Sequence, residues 1–167
     1  FDAGAAQLEL EPMDLAEVAR RCADDPVLRH AGIDVEVRAG DGPARVLADP
    51  RRIDRIVRNL LANAAKYSHS PSVLVSVTQD DDVASLSVRD FGVGLDAEES
   101  LRVFDRFWRA DPARVQGGTG LGLPIAREDA LLHGGSLAAS GTPGEGAEFV
   151  LTIPKRIDAS LIAEPSR

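Results

Sequence analysis

The chain has one cysteine, Cys22, which excludes an internal disulfide framework. Cys22 falls in the amphipathic stretch "LAEVARRCADD" and is expected to be a small core residue. Histidine is scarce too. His30, His69 and His133 stand apart, with no second His or Cys at ligand spacing, which argues against a structural zinc site. No apolar run reaches the length that spans a bilayer, and the start carries no signal-peptide pattern. Any membrane anchoring of a parent protein is therefore expected outside this stretch. A basic excess is also missing. The chain carries 19 Lys and Arg against 27 Asp and Glu, a net charge of −8, which speaks against a groove for DNA or RNA. There are no internal repeats.

What remains is an ordinary globular balance. The chain has 167 residues, of which 44% are hydrophobic and 28% charged, enough for one domain with a substantial core. Residues 1–7, "FDAGAAQ", read as a connector, residues 8–154 as the domain and residues 155–167 as a poorly ordered tail. "LELEPMD" alternates briefly and "LAEVARRCADD" has helical spacing. Short strands are expected at 33–37 and 44–48, around the turn "AGDGP". A strong helix runs from about Pro50 to Tyr67, with Asp49 as N-cap and Pro50 at its first position. Strands at 72–78 and 84–90 flank the hairpin signal "QDDD". Asp96 caps a short helix in "DAEESLRVF". From Arg109 to Gly120 the residues predict a mobile loop. "LGLPIAREDALLH" predicts a helix closed by Gly134, and "SLAAS" and "AEFVLTI" two last strands around "GTPGEG". Strands cluster with helices without strict alternation, which predicts an α+β fold, a mixed α/β sandwich with helices on one face of a sheet.

The central helix poses a question. Ile53, Ile56, Val57, Leu60, Leu61 and Ala64 form its core stripe. Asn59, Asn63 and Lys66 follow a second line at i, i+4 and i+7, beside that stripe. A solvated polar edge accounts for them. So does a site, since amide oxygens suit a hard cation that keeps several waters and a lysine meets phosphate as a point charge. Two glycine segments shift the balance. In "RDFGVGLD" a strand ends at Asp90, and Gly92 and Gly94 permit a tight path. In "GGTGLGLPIA" four glycines lead into a helix, where bare backbone amides form an anion site. The spacing matches neither the P-loop nor G-x-G-x-x-G after a first strand.

"RNLLANAAKYS", "RDFGVGLD", "RVFDRFWR", "GGTGLGL" and "HGG…GEGAEF" occur in the order of the N, first glycine, F, second glycine and terminal glycine boxes. Together they resemble the catalytic ATP-binding domain of two-component sensor histidine kinases, in the superfamily of DNA gyrase, MutL and the ninety-kilodalton heat-shock chaperones. The resemblance runs from Leu8 to Pro154. It implies a Bergerat-type ATP-binding fold, a mixed, mainly antiparallel sheet with about three helices on one face. ATP would lie between the helices and a lid.

By the same resemblance Asp90 would accept a hydrogen bond from the adenine amino group. Gly92 and Gly94 would let the backbone approach the purine, with Leu95 and Leu121 as apolar neighbours. Asn63 would coordinate Mg²⁺ bridging the phosphates, and Asn59 would orient the ion and the γ-phosphate. Lys66 and Tyr67 would contact phosphates and nucleotide. Gly118, Thr119, Gly120 and Gly122 would meet the phosphates, and Arg109 would be the lid cation nearest the transferred group. Phe104, Phe107 and Trp108 would anchor the lid or pack in the core. In hydrolytic relatives a glutamate that activates water occupies the position of Asn59. An amide cannot act as a base, so the site is expected to deliver phosphate to another nucleophile.

The implied partners are a dimerisation domain bearing the acceptor histidine, and a response regulator, with no nucleic acid. The implied location is the cytoplasmic side of a membrane-anchored sensor, attached through other parts of the parent protein. None of the three histidines has the acceptor's setting. Two departures from the family pattern stand out. Ala147 replaces a hydroxyl that supports adenine recognition, and Asp129 interrupts an apolar helix position, for which rotation toward solvent is the one account. The alternatives are an anti-sigma-factor-like serine kinase or nucleotide-dependent binding module of the same fold, and a hydrolytic conformational ATPase, which the missing glutamate opposes.

Overall fold

A computed structural model describes residues 7–106, 108 and 122–155. The chain opens with β1 (Glu11–Asp14), α1 (Leu15–Ala23), α2 (Pro26–His30), β2 (Asp34–Ala39) and β3 (Arg45–Ala48). It continues with α3 (Pro50–Tyr67), β4 (Ser72–Gln79), β5 (Val83–Asp90) and α4 (Ala97–Arg102). The last elements are α5 (Gly122–Leu132), β6 (Ser136–Thr142) and β7 (Gly146–Pro154).

The helix starts follow local chemistry. Asp49 accepts from the backbone N–H of Arg51 and Arg52, at 3.1 and 3.3 Å, and Pro50 occupies the first turn of α3, where no N–H is needed. Asp96 and Glu99 close a reciprocal capping box on α4. Gly134 ends the α5 segment at φ 72°, a left-handed conformation that glycine adopts without strain. The short helix α2 was not expected, although Asp25 caps it and Pro26 fills its first turn.

Five strands form one sheet in the order β2-β4-β5-β7-β6. The β2–β4 pair is parallel and the other three are antiparallel, as the mixed sheet required. Strands β1 and β3 form a separate antiparallel pair. The strands expected on either side of the turn at 40–43 are both present but do not pair with each other. Asp14 adds to the β1–β3 pairing: its Oδ1 caps α1 at Ala16 and also accepts from the N–H of Ala44, just before β3, at 2.8 Å.

Helices α1, α3 and α5 all pack on one face of the sheet. Val73, Val75 and Val77 of β4, Ala84, Leu86 and Val88 of β5, and Phe149, Leu151 and Ile153 of β7 point into that layer and are buried. The α3 stripe of Ile53, Ile56, Val57, Leu60, Leu61 and Ala64 meets them. The opposite face carries partly exposed Ser76, Ser85, Ser87 and Thr152, the alternation of a sheet covered on one side. No helix among the described residues is long and apolar enough to cross a membrane.

Cys22 is buried in this core, as expected. Burial, reinforced by the nearby Asp54 carboxylate, pushes its thiol up to about 11. At pH 7 the thiolate is then only about one part in ten thousand, by the titration relation. Iodoacetamide is expected to leave native Cys22 unmodified and to alkylate it once denaturant unfolds the chain. Rapid native labelling, followed by mass spectrometry, would contradict the buried placement.

Candidate functional site

The site is built around the end of β5. Asp90 is 2% exposed. Its Oδ1 accepts from the N–H of Gly92 at 3.0 Å and of Ala147 at 3.4 Å. Among the described residues Oδ2 has no donor. No fully buried side-chain oxygen or nitrogen there lacks a partner, so Oδ2 is not sealed in the core but still reaches solvent. Burial raises the Asp90 carboxyl above the ordinary carboxylate range, and the two backbone N–H bonds offset this only in part.

The glycines around Asp90 fit the protein's own backbone. A Cβ on Gly92 would lie 1.8 Å from the carbonyl oxygen of Tyr67, at the end of α3. Gly94 has φ 76°, and its Cβ would lie 2.1 Å from the carbonyl oxygen of Thr142. A Cβ on Gly146 would lie 2.0 Å from the carbonyl oxygen of Asp90. The loop after β5 is thus pressed between α3 and the β6–β7 turn, with bonds from Val93 N–H to Tyr67 O and from Gly144 N–H to Val93 O. Side chains are excluded at Gly92 and Gly94 before any ligand is considered. Leu95 lies in the core cluster beside this loop.

On α3, Asn59 and Asn63 are half-buried and Lys66 is exposed. Asn59 Nδ2 donates to the carbonyl of Gly122 at 3.2 Å. A carbonyl only accepts, so the amide nitrogen faces Gly122 and Oδ1 is turned away from it. The structure thus brings Asn59 against the first residue of α5. Asn63 makes no side-chain hydrogen bond among the described residues. Lys66 Nζ sits 6.0 Å from the centroid of the Tyr67 ring. The single carboxylate on α3, Asp54, is bound by Arg21 at 3.0 Å and Arg58 at 2.6 Å. Burial pushes its carboxyl up, but the Arg58 and Arg21 bonds outweigh that and hold it below its usual range.

Arg109, Gly118, Thr119, Gly120, Leu121 and Phe107 lie outside the described residues. Of the other aromatics, Phe104 packs edge-on against Phe149, with centroids 6.2 Å apart, and Trp108 is partly buried against the core. Core packing is therefore the role these two take. No group of three or more His, Cys, Asp or Glu able to hold a metal occurs among the described residues. A cation here would rest on amide oxygens, ligand phosphates and water.

Residues 48–157 match the family model described as histidine kinase-, DNA gyrase B- and HSP90-like ATPase. The chain belongs to this family. Over 160 residues it is 47% identical to the sensor histidine kinase MtrB of Mycobacterium tuberculosis, covering 92% of this chain and 28% of MtrB. The solved mycobacterial sensor histidine kinase MprB is 34% identical with a TM-score of 0.75, covering 89% of this chain and 99% of that one. The crystal structure of full-length ShkA in complex with AMPPNP is 29% identical with a TM-score of 0.80, covering 93% of this chain and 33% of that one. The chain is thus the catalytic ATP-binding domain of a sensor histidine kinase, and it spans 28% of the length of MtrB.

Within this ATPase family the two departures now have structural accounts. Ala147 contributes its backbone N–H to Asp90, a bond that needs no hydroxyl. Asp129 does not face solvent. It is 2% exposed and bound by Arg52 and Arg55, which corrects the expected rotation. Sequence reading missed the network because its members lie more than seventy positions apart. The signal was there as Arg52 and Arg55 on one side of α3, with Asp129 on α5 and His133 just past the end of that helix.

Proposed function

We propose that this domain binds Mg·ATP and transfers the γ-phosphoryl group to a histidine on a separate dimerisation domain, for relay to a response-regulator aspartate. The observation that supports the reading is that α3, which would line the nucleotide site, offers no carboxylate free to activate water. Asn59 stands at the position of such a base, and the one carboxylate on α3 is occupied by two arginines. In this reading Asp90 takes the adenine amino group at Oδ2. Asn63 and Asn59 hold Mg²⁺, which neutralises phosphate charge, while Lys66, Tyr67 and the backbone from Gly118 to Gly122 bind phosphates beside Arg109. The acceptor imidazole nitrogen forms the new P–N bond as the bond to the β-phosphate oxygen breaks and ADP leaves. The domain faces the cytoplasm in a membrane-anchored sensor.

The test is to mix the chain with Mg·ATP, with and without a dimerisation domain carrying the acceptor histidine. Alone, the chain is expected to bind ATP and hydrolyse it well below about one per second, a slow rate by enzyme standards. With the partner, an acid-labile, base-stable phosphoprotein should form. An acid-stable product would point instead to a serine kinase, and rapid hydrolysis alone to a conformational ATPase.

A further inference from the structure

Helix α5 is held to α3 at three levels. Gly122, at its start, is joined to Asn59 by the 3.2 Å bond. Seven residues on, Asp129 Oδ1 accepts from Arg52 Nη1 at 2.8 Å, and Oδ2 accepts from Arg55 Nε and Nη2 at 3.0 and 2.7 Å. One turn further, His133 Nε2 accepts from the N–H of Asp49 at 3.0 Å. That bond requires a bare Nε2, so Nδ1 carries the proton and donates to the Asp129 carbonyl at 2.6 Å. Asp49 is also the cap of α3, so the outer level fixes the start of one helix to the end of the other.

Packing alone does not call for this arrangement. A buried carboxylate between guanidinium groups is seldom more stabilising than apolar side chains of similar volume. It differs in directionality. Apolar ridges tolerate sliding along a neighbouring helix, whereas a carboxylate held at Oδ1 by Arg52 and at Oδ2 by Arg55 is directional. Gly122 lies about 10 Å along the helix from Asp129, at 1.5 Å per residue. A displacement of α5 along α3 at Asp129 is carried through this rigid segment to Gly122 and Asn59.

We propose that Asp129 is a positioning residue: clamped by Arg52 and Arg55 and backed by His133, it sets the register of α5 on α3 and holds the Gly122 backbone against Asn59. Its effect on phosphoryl transfer rests on the functional reading above, in which Asn59 and Gly122 form the phosphate end of the site. Asn59 then presents Oδ1 to the transferring group only while its amide nitrogen stays on Gly122.

The experiment compares wild type with Asp129→Asn and Arg55→Gln. The first keeps volume and removes the charge. The second changes a side chain that is 51% exposed and leaves Arg52 on the carboxylate. The primary readout is the Asn59 side-chain amide in nucleotide-free ¹⁵N spectra. Both variants should shift its resonances and speed their exchange with water. At saturating ATP, transfer to the histidine domain should fall about tenfold to a hundredfold, as small displacements of reacting groups do. The dissociation constant for ATP, set largely at Asp90, should change less than about threefold, the signature of misplacement without lost binding. A folded Asp129→Asn variant with wild-type Asn59 resonances and wild-type transfer overturns the proposal. If that variant does not fold, Arg55→Gln decides by the same two readouts. If wild type transfers no phosphate, the functional reading fails, and the Asn59 resonances still decide the positioning role.

Discussion

Replacing Asp90 with asparagine should weaken ATP binding by about tenfold to a hundredfold while leaving the nucleotide-free domain as stable as wild type or more so at pH 7. The affinity loss follows from the open oxygen. The substituted amide still accepts from Gly92 and Ala147 at Oδ1, but it presents an N–H where the adenine amino group needs an acceptor. Losing a hydrogen bond to a charged group costs about 1.5–3 kcal/mol, which sets the factor. The stability side follows from the direction of the shift. Burial raises the Asp90 carboxyl in the folded state above its unfolded value, so the folded chain holds that proton more tightly. The resulting stabilisation is complete below the unfolded value, near 4, and is lost as pH rises through the folded one. At pH 7 the fold therefore carries a buried charge that the amide relieves, and the variant's advantage should shrink as pH falls through the folded value toward about 4. Calorimetric titration with ATP, and thermal melts at paired pH values, check the two halves. Wild-type affinity for ATP over GTP would remove Asp90 as the adenine acceptor. A variant markedly less stable at pH 7 would refute the burial argument.

The elements most legible in the sequence are those written in local chemistry. Asp49, Pro50 and the apolar stripe specify α3 from its own residues, and "QDDD" between two alternating segments specifies the β4–β5 hairpin. Pairing of distant segments is not local. Nothing in "IDVEV" names β4 as its parallel neighbour, and the pairing of β3 with β1 joins segments more than thirty positions apart. The site divides in the same way. Motif order brought Asn59, Asn63, Asp90 and the glycines onto one list, and the fold sets Asn59 beside Gly122 and Asp90 beside Ala147. What the glycines do was not legible, because spacing cannot distinguish a backbone that approaches a ligand from one that approaches its own neighbouring strand. Asp129 was unreadable for a related reason. A lone acid in an apolar pattern looks like an error until its two arginines, on another helix, are placed around it.

Asn63→Ala should block phosphoryl transfer almost completely, and Asn59→Ala should slow it while sparing more of the nucleotide binding. The two asparagines lie one turn apart on the same side of α3, yet the structure gives them different surroundings. Asn63 has no side-chain hydrogen bond among the described residues, which fits an amide that a ligand would engage. Truncating it removes no side-chain hydrogen bond among the described residues, and alanine is the better helix former, so the fold should be little affected. If its oxygen binds Mg²⁺, no neighbouring group replaces it, because the small ion demands near-ideal octahedral geometry. The expected loss in transfer is on the order of 10²–10³-fold, the scale for removing one group that stabilises transferring charge. ATP binding should also lose much of its dependence on magnesium. Asn59 is already engaged with Gly122. Its removal frees the start of α5 and withdraws one orienting oxygen, which lowers the rate more than the affinity. Paired magnesium titrations by calorimetry, with circular dichroism as the check on folding, separate the two variants. A folded Asn63→Ala domain that binds Mg·ATP and transfers phosphate like wild type would make "RNLLANAAKYS" a polar helix edge, and the metal would have to rest on other groups.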